Sequence, residues 1–270
     1  MKINAAFVEN ILIRFLREEF SKFGYANGIL GLSGGIDSTV AAYLSSRALG
    51  PDHVIGLILP YGETFGQDID DAQSVAGSLG IRIRLIDIAP SVDAYYSRHP
   101  TNSRILKGNK MARERMSILY DHSEREHALI IGTSNKTELL LGYGTLHGDM
   151  ACALNPLGDL YKTQVRALGR HLGIPDRILN KAPSAGLWEG QTDEQELGLV
   201  YEEIDRILFH LIDQRMPRDD VIGSGSEEAT VDKIIRMIKG SQFKRCMPPI
   251  AKISERSVGH DFLYPYDWDK

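Results

Sequence analysis

The sequence predicts an α/β fold: a doubly wound, mostly parallel sheet of about five strands flanked by helices, followed by a helical C-terminal extension. Over residues 24–155, short apolar runs alternate with amphipathic helical segments. The segments between the runs are long enough for the crossover helix that two parallel strands require. After Leu154 the periodicity is helical. The chain has 270 residues, 43% of them hydrophobic, which is sufficient to bury one large core.

Each strand is predicted from a short continuous apolar run, which is typical of a strand buried on both faces. The four main runs are Ile29 to Leu32, Val54 to Leu59, Ile81 to Ile86 and Ala128 to Ile131, and Met150 to Leu154 is a candidate fifth. Since helical segments separate these runs, we expect them to form one parallel sheet.

Helices are predicted from apolar residues three and four positions apart and from Gly or Pro at helix ends. The first, over residues 4–23, has a wide apolar face that includes Phe7, Ile11 and Phe15. The others are predicted over Ser38 to Leu49, Asp68 to Leu79, within Ser103 to His122, Tyr161 to Leu172, Leu197 to Met216 and Glu227 to Lys239.

The simplest domain organisation is a single domain over residues 1–270. It would comprise a parallel-sheet core at 24–155 and a helical extension at 156–270. Within the extension, residues 183–195 contain a polar loop with two glycines. Long polar loops of this kind commonly serve as lids, so we expect a lid there.

Composition excludes several classes of protein. The chain has 31 Lys and Arg against 36 Asp and Glu, a net charge of -5, so it lacks the basic field of a nucleic-acid binder. No apolar run approaches the roughly 20 residues that span a bilayer. The N-terminal segment carries Glu9, Glu18 and Glu19 and resembles neither a signal nor a transit peptide. We therefore expect a cytoplasmic protein with no nucleic-acid or membrane partner. Cys152 and Cys246 are too few and too far apart for a disulfide framework.

Three polar, glycine-bearing segments follow predicted strands. Ser33 to Ser38 follows the first strand, Pro60 to Glu63 the second and Gly132 to Glu138 the fourth. Ligands of an open parallel sheet bind at the carboxyl edge of its strands. We therefore expect these segments to meet in one site.

The segment Ser33 to Ser38, with the sequence Ser-Gly-Gly-Ile-Asp-Ser, is suited to bind an anion. Gly34 and Gly35 permit a positive φ and a close approach of backbone amides, and the following helix directs its free N–H groups to the same point. The segment lacks the lysine with which a Walker-type loop reaches the β- and γ-phosphates. Asp37 would repel phosphate unless a cation intervenes, so we expect it to bind Mg²⁺ together with Glu138. At this point a glycine turn followed by a simple helix cap stays open as an alternative.

The same six residues resemble the Ser-Gly-Gly-x-Asp-Ser pyrophosphate loop of the ATP pyrophosphatase superfamily, whose members split ATP into AMP and pyrophosphate. In such enzymes the substrate attacks the α-phosphate and the loop holds the departing pyrophosphate, so no lysine is needed to polarise a transferred γ-phosphate. The chain lacks the paired cysteines and basic surface common in tRNA-thiolating members. Its length also leaves no room for the glutaminase domain of glutamine-dependent amide synthetases. The resemblance thus favours a member that uses free ammonia.

Over nearly its full length the chain resembles the ammonia-dependent NAD synthetases. The matching segments, in the family's order, are Leu59 to Gly62 with Asp70 to Gln73, Gly108 to Met116, Gly132 to Glu138, Gly148-Asp149, Leu160 to Val165, Pro183 to Ala185 with Gln191 to Glu194, and Ser241 to Arg245. The resemblance implies that deamido-NAD is adenylated by ATP and then amidated by ammonia, giving NAD, AMP and pyrophosphate. It also implies a homodimer, and the helices over 4–23 and 103–122 are our candidates for its interface.

The resemblance assigns roles residue by residue. Asp37 and Glu138 match the family's magnesium ligands, and Asp37 and Lys162 are the expected catalytic residues. Lys162 is suited to offset the charge that develops on the leaving pyrophosphate. The residues expected to contact ATP are Ser33, Gly34, Gly35, Ile36, Ser38, Thr133, Lys162 and Ser184. Those expected to contact deamido-NAD are Arg113, Asp149 and Lys244.

The chain differs from many family members around the expected deamido-NAD site. Leu146 and Ala153 replace a lysine and an aspartate that flank the Gly-Asp pair in some bacterial relatives, and Phe243 replaces a histidine. Ser184 stands where many relatives have threonine. The first three differences affect the expected binding of deamido-NAD rather than the adenylation chemistry.

Two other functions stay open. One is a different amide-forming ATP pyrophosphatase, and the other is a non-catalytic module that binds an adenine nucleotide. A non-catalytic module would not require Asp37, Glu138 and Lys162 together. Arg115 receives no role, because a helix with many charges usually presents a solvated face. His147 receives no role as a general base, because ammonia needs little base once ammonium has lost its proton.

Overall fold

The computed structural model describes residues 2–62, 66–184, 186–188, 190–259 and 261–262. Glu63 and Ala185, each part of a segment predicted from the sequence, lie outside these ranges. The described residues form one parallel sheet of four strands in the order β3-β2-β1-β4. Its strands are Asn27–Gly31 (β1), Val54–Ile58 (β2), Arg82–Leu85 (β3) and Ala128–Ile130 (β4).

The predicted fold class is confirmed, with one strand fewer than expected. The candidate fifth strand contributes only an isolated parallel bridge between Ile131 and Leu154. The prediction that the run Ile81 to Ile86 is buried was wrong for the four residues of β3, all of which are exposed, whereas Ile81 is buried. β3 forms the edge of the described sheet, and its Arg82 and Arg84 pair with Glu126 instead of packing into a core.

Six of the seven helices predicted from the sequence lie within a few residues of their predicted bounds, and several short helices were not predicted. The described residues form twelve α-helices in all. They are Ala5–Phe23 (α1), Ile36–Leu49 (α2), Gly66–Leu79 (α3), Ala89–Tyr96 (α4), Arg104–Arg125 (α5), Lys136–Leu141 (α6), Lys162–Leu172 (α7), Asp176–Leu179 (α8), Asp193–Leu197 (α9), Tyr201–Leu208 (α10), Arg218–Gly223 (α11) and Glu228–Gly240 (α12). A π turn at Phe209–Asp213 extends α10, and short 3₁₀ turns lie at Pro51–His53 and Gln242–Arg245.

The helix predicted over Leu197 to Met216 is divided in the structure. Gly198 adopts a left-handed conformation with φ 64° and ends α9, and α10 begins at Tyr201. Glycine takes this conformation without steric cost, which is why helices often end on it. The break turns the chain so that α10 packs as a separate helix.

Helices cover both faces of the sheet, as in a doubly wound fold. Ile29, Ile55 and Leu57 pack with residues of α4 and α5, whereas Leu30, Val54 and Ile58 pack with residues of α1, α2 and α7. This alternation follows from the two-residue period of a strand. A third cluster joins α6, α10, α11 and α12 beyond the sheet. Among the described residues no helix combines the length and the apolarity that crossing a bilayer would require.

Candidate active site

A cavity of about 800 Å³ opens at the carboxyl edge of the sheet, where the segments after β1, β2 and β4 meet α5 and the loop before α9. It brings together most of the predicted site residues. Those in its wall are Ser33, Gly35, Ile36, Asp37, Ser38, Thr133, Glu138, Asp149, Lys162, Ser184 and Lys244. Of the described residues with a predicted role, Gly34 and Arg113 lie outside the wall.

Gly34 shapes the loop between β1 and α2 from behind the cavity. Its φ is 77°, and a Cβ at this position would lie 2.4 Å from the carbonyl oxygen of Asp68. Only glycine therefore fits here without displacing α3. The hydroxyl of Ser38 accepts the N–H of Ser33 at 3.2 Å, which closes the loop over the first turn of α2.

The N-terminus of α2 faces the cavity without a side-chain cap. Its N-cap residue is Gly35, which has no side chain to accept the first helical N–H groups. These groups and the positive end of the helix dipole are therefore available to an anion. Ser33 and Ser38, whose hydroxyls lie 3.0 Å apart, add donors beside them.

Lys162 is the centre of a buried charge cluster. Its ammonium Nζ donates to Oδ2 of Asp37 and to Oε1 of Glu138, the latter at 3.3 Å. The side chain of Lys162 is 3% exposed, against 17% for Asp37 and 18% for Glu138. Of the three residues expected to act on ATP and its metal, Lys162 thus contacts each of the other two directly.

The cluster shifts the pKa values of Lys162 and Glu138. Burial by itself lowers the pKa of Lys162, but the carboxylates of Asp37 and Glu138 reverse this effect, so its pKa is raised and the lysine stays protonated. Burial raises the pKa of Glu138, an effect that Lys162 opposes and Asp37 adds to. The ammonium of Lys162 thus favours the ionised form of Glu138, against the effect of burial.

Asn135, to which the sequence analysis gave no role in the site, orients both carboxylates. Its side-chain oxygen accepts the N–H of Glu138 at 3.0 Å, and Oε2 of Glu138 accepts the N–H of Asn135 at 3.2 Å. This reciprocal capping box begins α6. The amide Nδ2 of Asn135 donates to Oδ1 of Asp37 at 3.0 Å. The Asn-x-x-Glu spacing was the sequence signal that could have identified it.

The donor set at this cluster fits Mg²⁺ bound together with a nucleotide. Carboxylate oxygens are hard ligands, and Mg²⁺ is usually held by one or two of them, with water and substrate phosphates completing the shell. Asp37 and Glu138 provide two such groups beside the N-terminus of α2, which has no side-chain cap. Among the described residues no cluster of three or more Asp, Glu, His or Cys could hold a metal by itself.

The residues predicted to bind deamido-NAD are divided between the cavity and its surroundings. Lys244 lies in the wall and donates Nζ to the carbonyls of Gly142 and Gly144, at 2.8 and 2.7 Å. Arg113 lies outside the wall and donates Nε to the carbonyl of Leu146 at 3.1 Å. Phe243, beside Lys244, is 62% exposed.

Arg115, which received no role from the sequence, lies in the cavity wall. Its Nε donates to the carbonyl of Leu59 at 2.9 Å, and its Nη2 to that of Gly186 at 3.4 Å. Desolvation lowers the pKa of Arg115 to about 10, and the carboxylate of Asp149 opposes this. Asp149 accepts the N–H of Thr145 at 2.9 Å. Arg115 thus links the end of β2 to the predicted lid.

Asp193 is a further carboxylate of the wall, and it is buried, with 4% of the residue exposed. It accepts hydrogen bonds from the hydroxyls of Tyr143 and Tyr201 at 3.1 and 3.0 Å. Burial raises the pKa of Asp193, an effect opposed by Lys162 and these two tyrosines. The ring of Tyr201 lies under the ammonium of Lys162, 5.3 Å from Nζ to the ring centroid. The segment Gln191 to Glu194 is one of those that resemble the family, but its sequence did not show that Asp193 would lie buried in the cavity wall.

The chain is similar to known proteins along nearly its whole length. The sequence model of the NAD synthase family matches residues 8–248. An NH3-dependent NAD+ synthetase of Chlorobium phaeobacteroides is 50% identical over 270 residues, which are 100% of this chain and 98% of that protein.

Solved structures have the same fold. NMN synthetase from Francisella tularensis is 35% identical with a TM-score of 0.82, over 93% of this chain and 99% of that one. The NH3-dependent NAD synthetase from Campylobacter jejuni, solved in complex with the nitrate ion, is 31% identical with a TM-score of 0.80, over 93% of this chain and 100% of that one. The family match covers well over half of the sequence, and with these likenesses it shows that the chain belongs to the NAD synthase family.

Proposed function

We propose that this chain is an ammonia-dependent NAD synthetase, which converts deamido-NAD, ATP and ammonia to NAD, AMP and pyrophosphate. The observation that carries the proposal is the position of the Lys162 ammonium, between Asp37 and Glu138 and beside the anion-binding loop Ser33 to Ser38. The positive charge of Lys162 and the free N–H groups at the start of α2 are suited to bind the negatively charged pyrophosphate as it leaves. Family membership and the 50% identity to an NH3-dependent NAD+ synthetase support the choice of reaction.

The reaction has two steps. An oxygen of the nicotinate carboxylate attacks the α-phosphorus of ATP, and the bond to the bridging oxygen of the β-phosphate breaks with its electron pair leaving on pyrophosphate. The nitrogen of ammonia then attacks the activated carbonyl carbon, AMP leaves with the carboxylate oxygen, and the nitrogen loses a proton to solvent. Lys162 and the amides at the start of α2 stabilise the charge that develops on pyrophosphate in the first step.

Asp37 and Glu138 are the residues that would hold Mg²⁺. Bound with ATP, the ion would supply further neutralisation of the pyrophosphate charge. Asn135 keeps Asp37 and Glu138 oriented toward this position through its side chain. Ser33, Gly35, Ile36, Ser38, Thr133 and Ser184, which line the same cavity, would contact the nucleotide, with Gly34 supporting the loop.

Asp149 and Lys244 in the cavity wall, with Arg113 outside the wall, would bind deamido-NAD. A second acceptor is favoured by one observation: the Francisella NMN synthetase matches this chain with a higher TM-score and identity than the Campylobacter NAD synthetase. Nicotinate mononucleotide is the corresponding acid, and it carries the same carboxylate without the adenylate half. The two acceptors differ only in the part that lies away from the reacting group.

Pyrophosphate release with a panel of acceptors tests the proposal. Purified protein with ATP, Mg²⁺ and ammonium is given deamido-NAD, nicotinate mononucleotide, aspartate or no acceptor. Release that depends on deamido-NAD, with NAD as product, is the expected result. A preference for nicotinate mononucleotide would assign the second function. Release that does not depend on either acceptor would overturn both, and no AMP with any acceptor would favour a non-catalytic module.

We also propose that residues 183–195 form a lid over the bound substrates. Gly186 and Gly190 both have a positive φ, of 59° and 73°, and Arg115 reaches the carbonyl of Gly186 from the cavity wall. The side chain of Leu187 packs close to Gly108 of α5. The contacts of Gly186 and Leu187 with α5 support the proposal of a lid.

A homodimer is proposed for the same protein, with α1 and α5 as its interface. α1 exposes Phe7 and Ile11, at 62% and 48%, and α5 exposes Ile105 and Leu106, at 70% and 56%. Sedimentation velocity of the wild type and of Phe7→Glu and Ile105→Glu tests this. A wild-type monomer, or dimers in both variants, would contradict the proposed interface. The cytoplasmic location stays a prediction.

A further inference from the structure

The first turn of α7, which carries Lys162, is held by a residue from a distant helix. The N-cap of α7 is Tyr161, whose side chain makes no capping bond. The N–H of Thr163 is accepted instead by Oδ2 of Asp205, at 2.8 Å. Asp205 belongs to α10 and lies 42 residues further along the chain. It thus satisfies an N–H that a local N-cap would ordinarily bind.

The second oxygen of Asp205 connects α7 to α6. Oδ1 accepts the hydroxyl of Thr137 at 2.5 Å, and the same hydroxyl oxygen accepts the N–H of Lys162 at 3.0 Å. Thr137 precedes Glu138 in the first turn of α6. One carboxylate therefore holds together the backbone of Lys162 and the helical turn that carries Glu138.

The same helix supports the side chain of Lys162. Tyr201 lies four residues before Asp205 on α10, so both project from one face of that helix. Its ring lies under the ammonium of Lys162. Asp205 and Thr137 are each 0% exposed and lie outside the wall of the cavity, within the part of the chain that the structure describes.

We propose that Asp205 is a positioning residue for the adenylation step: acting with Thr137, it fixes the first turns of α6 and α7 so that the ammonium of Lys162 stands between Asp37 and Glu138. Asp205 itself contacts no substrate. The inference rests on the proposed function. Burial raises the pKa of Asp205, while the bonds from Thr137 and Thr163 oppose this, so the carboxylate is kept here at a cost in folding free energy.

A matched pair of variants at Thr137 tests the proposal. Thr137→Val keeps the shape of the side chain but removes both of its hydrogen bonds, and Thr137→Ser keeps the hydroxyl. We expect the valine variant to lose kcat by about tenfold or more while its KM for deamido-NAD changes by less than about threefold, because Lys162 is placed to act on ATP and the leaving pyrophosphate rather than on deamido-NAD. The serine variant should stay within about threefold of the wild type in kcat.

Thr230 on α12 provides the control for loss of a buried hydroxyl. It is 6% exposed and bonds to Glu227, away from the cavity. Thr230→Val should leave kcat unchanged. A wild-type kcat in folded Thr137→Val, equal losses in the valine and serine variants, or a raised KM at unchanged kcat would each overturn the positioning role.

Two further measurements keep the test decisive. If circular dichroism shows that Thr137→Val does not fold, Asp205→Asn takes its place, since an amide accepts on one side only. The asparagine variant should lose kcat at unchanged KM, and a wild-type kcat would refute the role.

If the wild type does not amidate deamido-NAD, the proposed function fails by itself. The positioning role of Asp205 is then judged by the affinity of the protein for ATP with Mg²⁺. Thr137→Val should weaken this affinity about tenfold more than Thr137→Ser. Equal affinities of the two variants would overturn the positioning role.

Discussion

Lys162 and Asp37 form a buried ion pair although 125 residues separate them in the sequence. Asp37 lies in the first turn of α2 and Lys162 in the first turn of α7. A lysine in the first turn of a helix opposes the helix dipole and is unfavourable by itself. Its pairing with Asp37 and Glu138 offsets this, and it places a positive charge where the leaving pyrophosphate is proposed to bind.

Replacing Asp37 by asparagine should abolish turnover while the protein stays folded. The change removes one carboxylate from the proposed metal site and one partner from Lys162, and we expect kcat to fall at least about 100-fold. Pyrophosphate release and circular dichroism measure the two effects. Asp52→Asn, at an exposed position in the turn Pro51–His53, is the matched control. Near-normal activity of Asp37→Asn would refute its role.

Replacing Gly34 by alanine should weaken ATP binding. The new Cβ would lie 2.4 Å from the carbonyl of Asp68, at a φ of 77° that alanine rarely adopts, so the loop must shift away from the phosphates. We expect a loss of affinity of about tenfold, from about 1–2 kcal/mol of strain and displacement. Isothermal calorimetry with ATP and Mg²⁺ measures it.

Gly77→Ala is the control for this change. Gly77 lies in α3, and an added Cβ there would meet no heavy atom within 4 Å. Alanine favours a helix over glycine by up to about 1 kcal/mol, so this variant should be slightly more stable and bind ATP normally. Equal ATP affinities for the two alanine variants would contradict the proposed role of Gly34.

The ion pairs of Asp71 should make stability depend on pH. Burial alone would raise the pKa of Asp71, but hydrogen bonds from Lys181 and Arg177 outweigh it and hold the pKa below its usual value. A carboxylate with a lowered folded pKa stabilises the fold above its unfolded pKa of about 4, and this contribution is lost as the pH falls through the folded pKa.

Asp71→Asn should therefore lower the free energy of unfolding by about 2 kcal/mol at pH 7. The difference from the wild type should shrink as the pH falls below about 4 and through the lowered folded pKa of Asp71, where this carboxylate becomes protonated. Urea denaturation at a series of pH values measures it. The exposed neighbour Asp70 provides the control variant Asp70→Asn. A difference that is constant over this pH range would argue against the ion pairs.

Substrates should protect the proposed lid from proteolysis. Chymotrypsin is expected to cleave after Leu187 and Trp188, and cleavage should slow when ATP, Mg²⁺ and deamido-NAD are all present. Arg115→Met, which removes the bond to the carbonyl of Gly186, should reduce this protection. Limited digestion followed by mass spectrometry measures the rate at each site. Unchanged cleavage on addition of the substrates would count against a lid.

Short-range patterns in the sequence were enough to predict the parallel sheet, the long helices and the position of the loop Ser33 to Ser38 at the end of β1. Apolar runs and helical periodicity specify strands and helices locally, and a parallel sheet brings the ends of its strands to one edge. The meeting of Ser33 to Ser38 with Gly132 to Glu138 was therefore predictable. The resemblance to one family added the roles of Asp37, Glu138 and Lys162, but it could not show their contacts.

The tertiary structure alone decided which side chains support this site. Asn135 joins Asp37 to Glu138, Asp205 reaches α7 from α10, and Arg115 turns into the cavity instead of toward solvent. Each contact links segments many residues apart, and its existence depends on how helices pack against one another. Local periodicity carries no information on that packing, because a charged residue on a helix is compatible with either a solvated or a buried position until the neighbouring helix is placed.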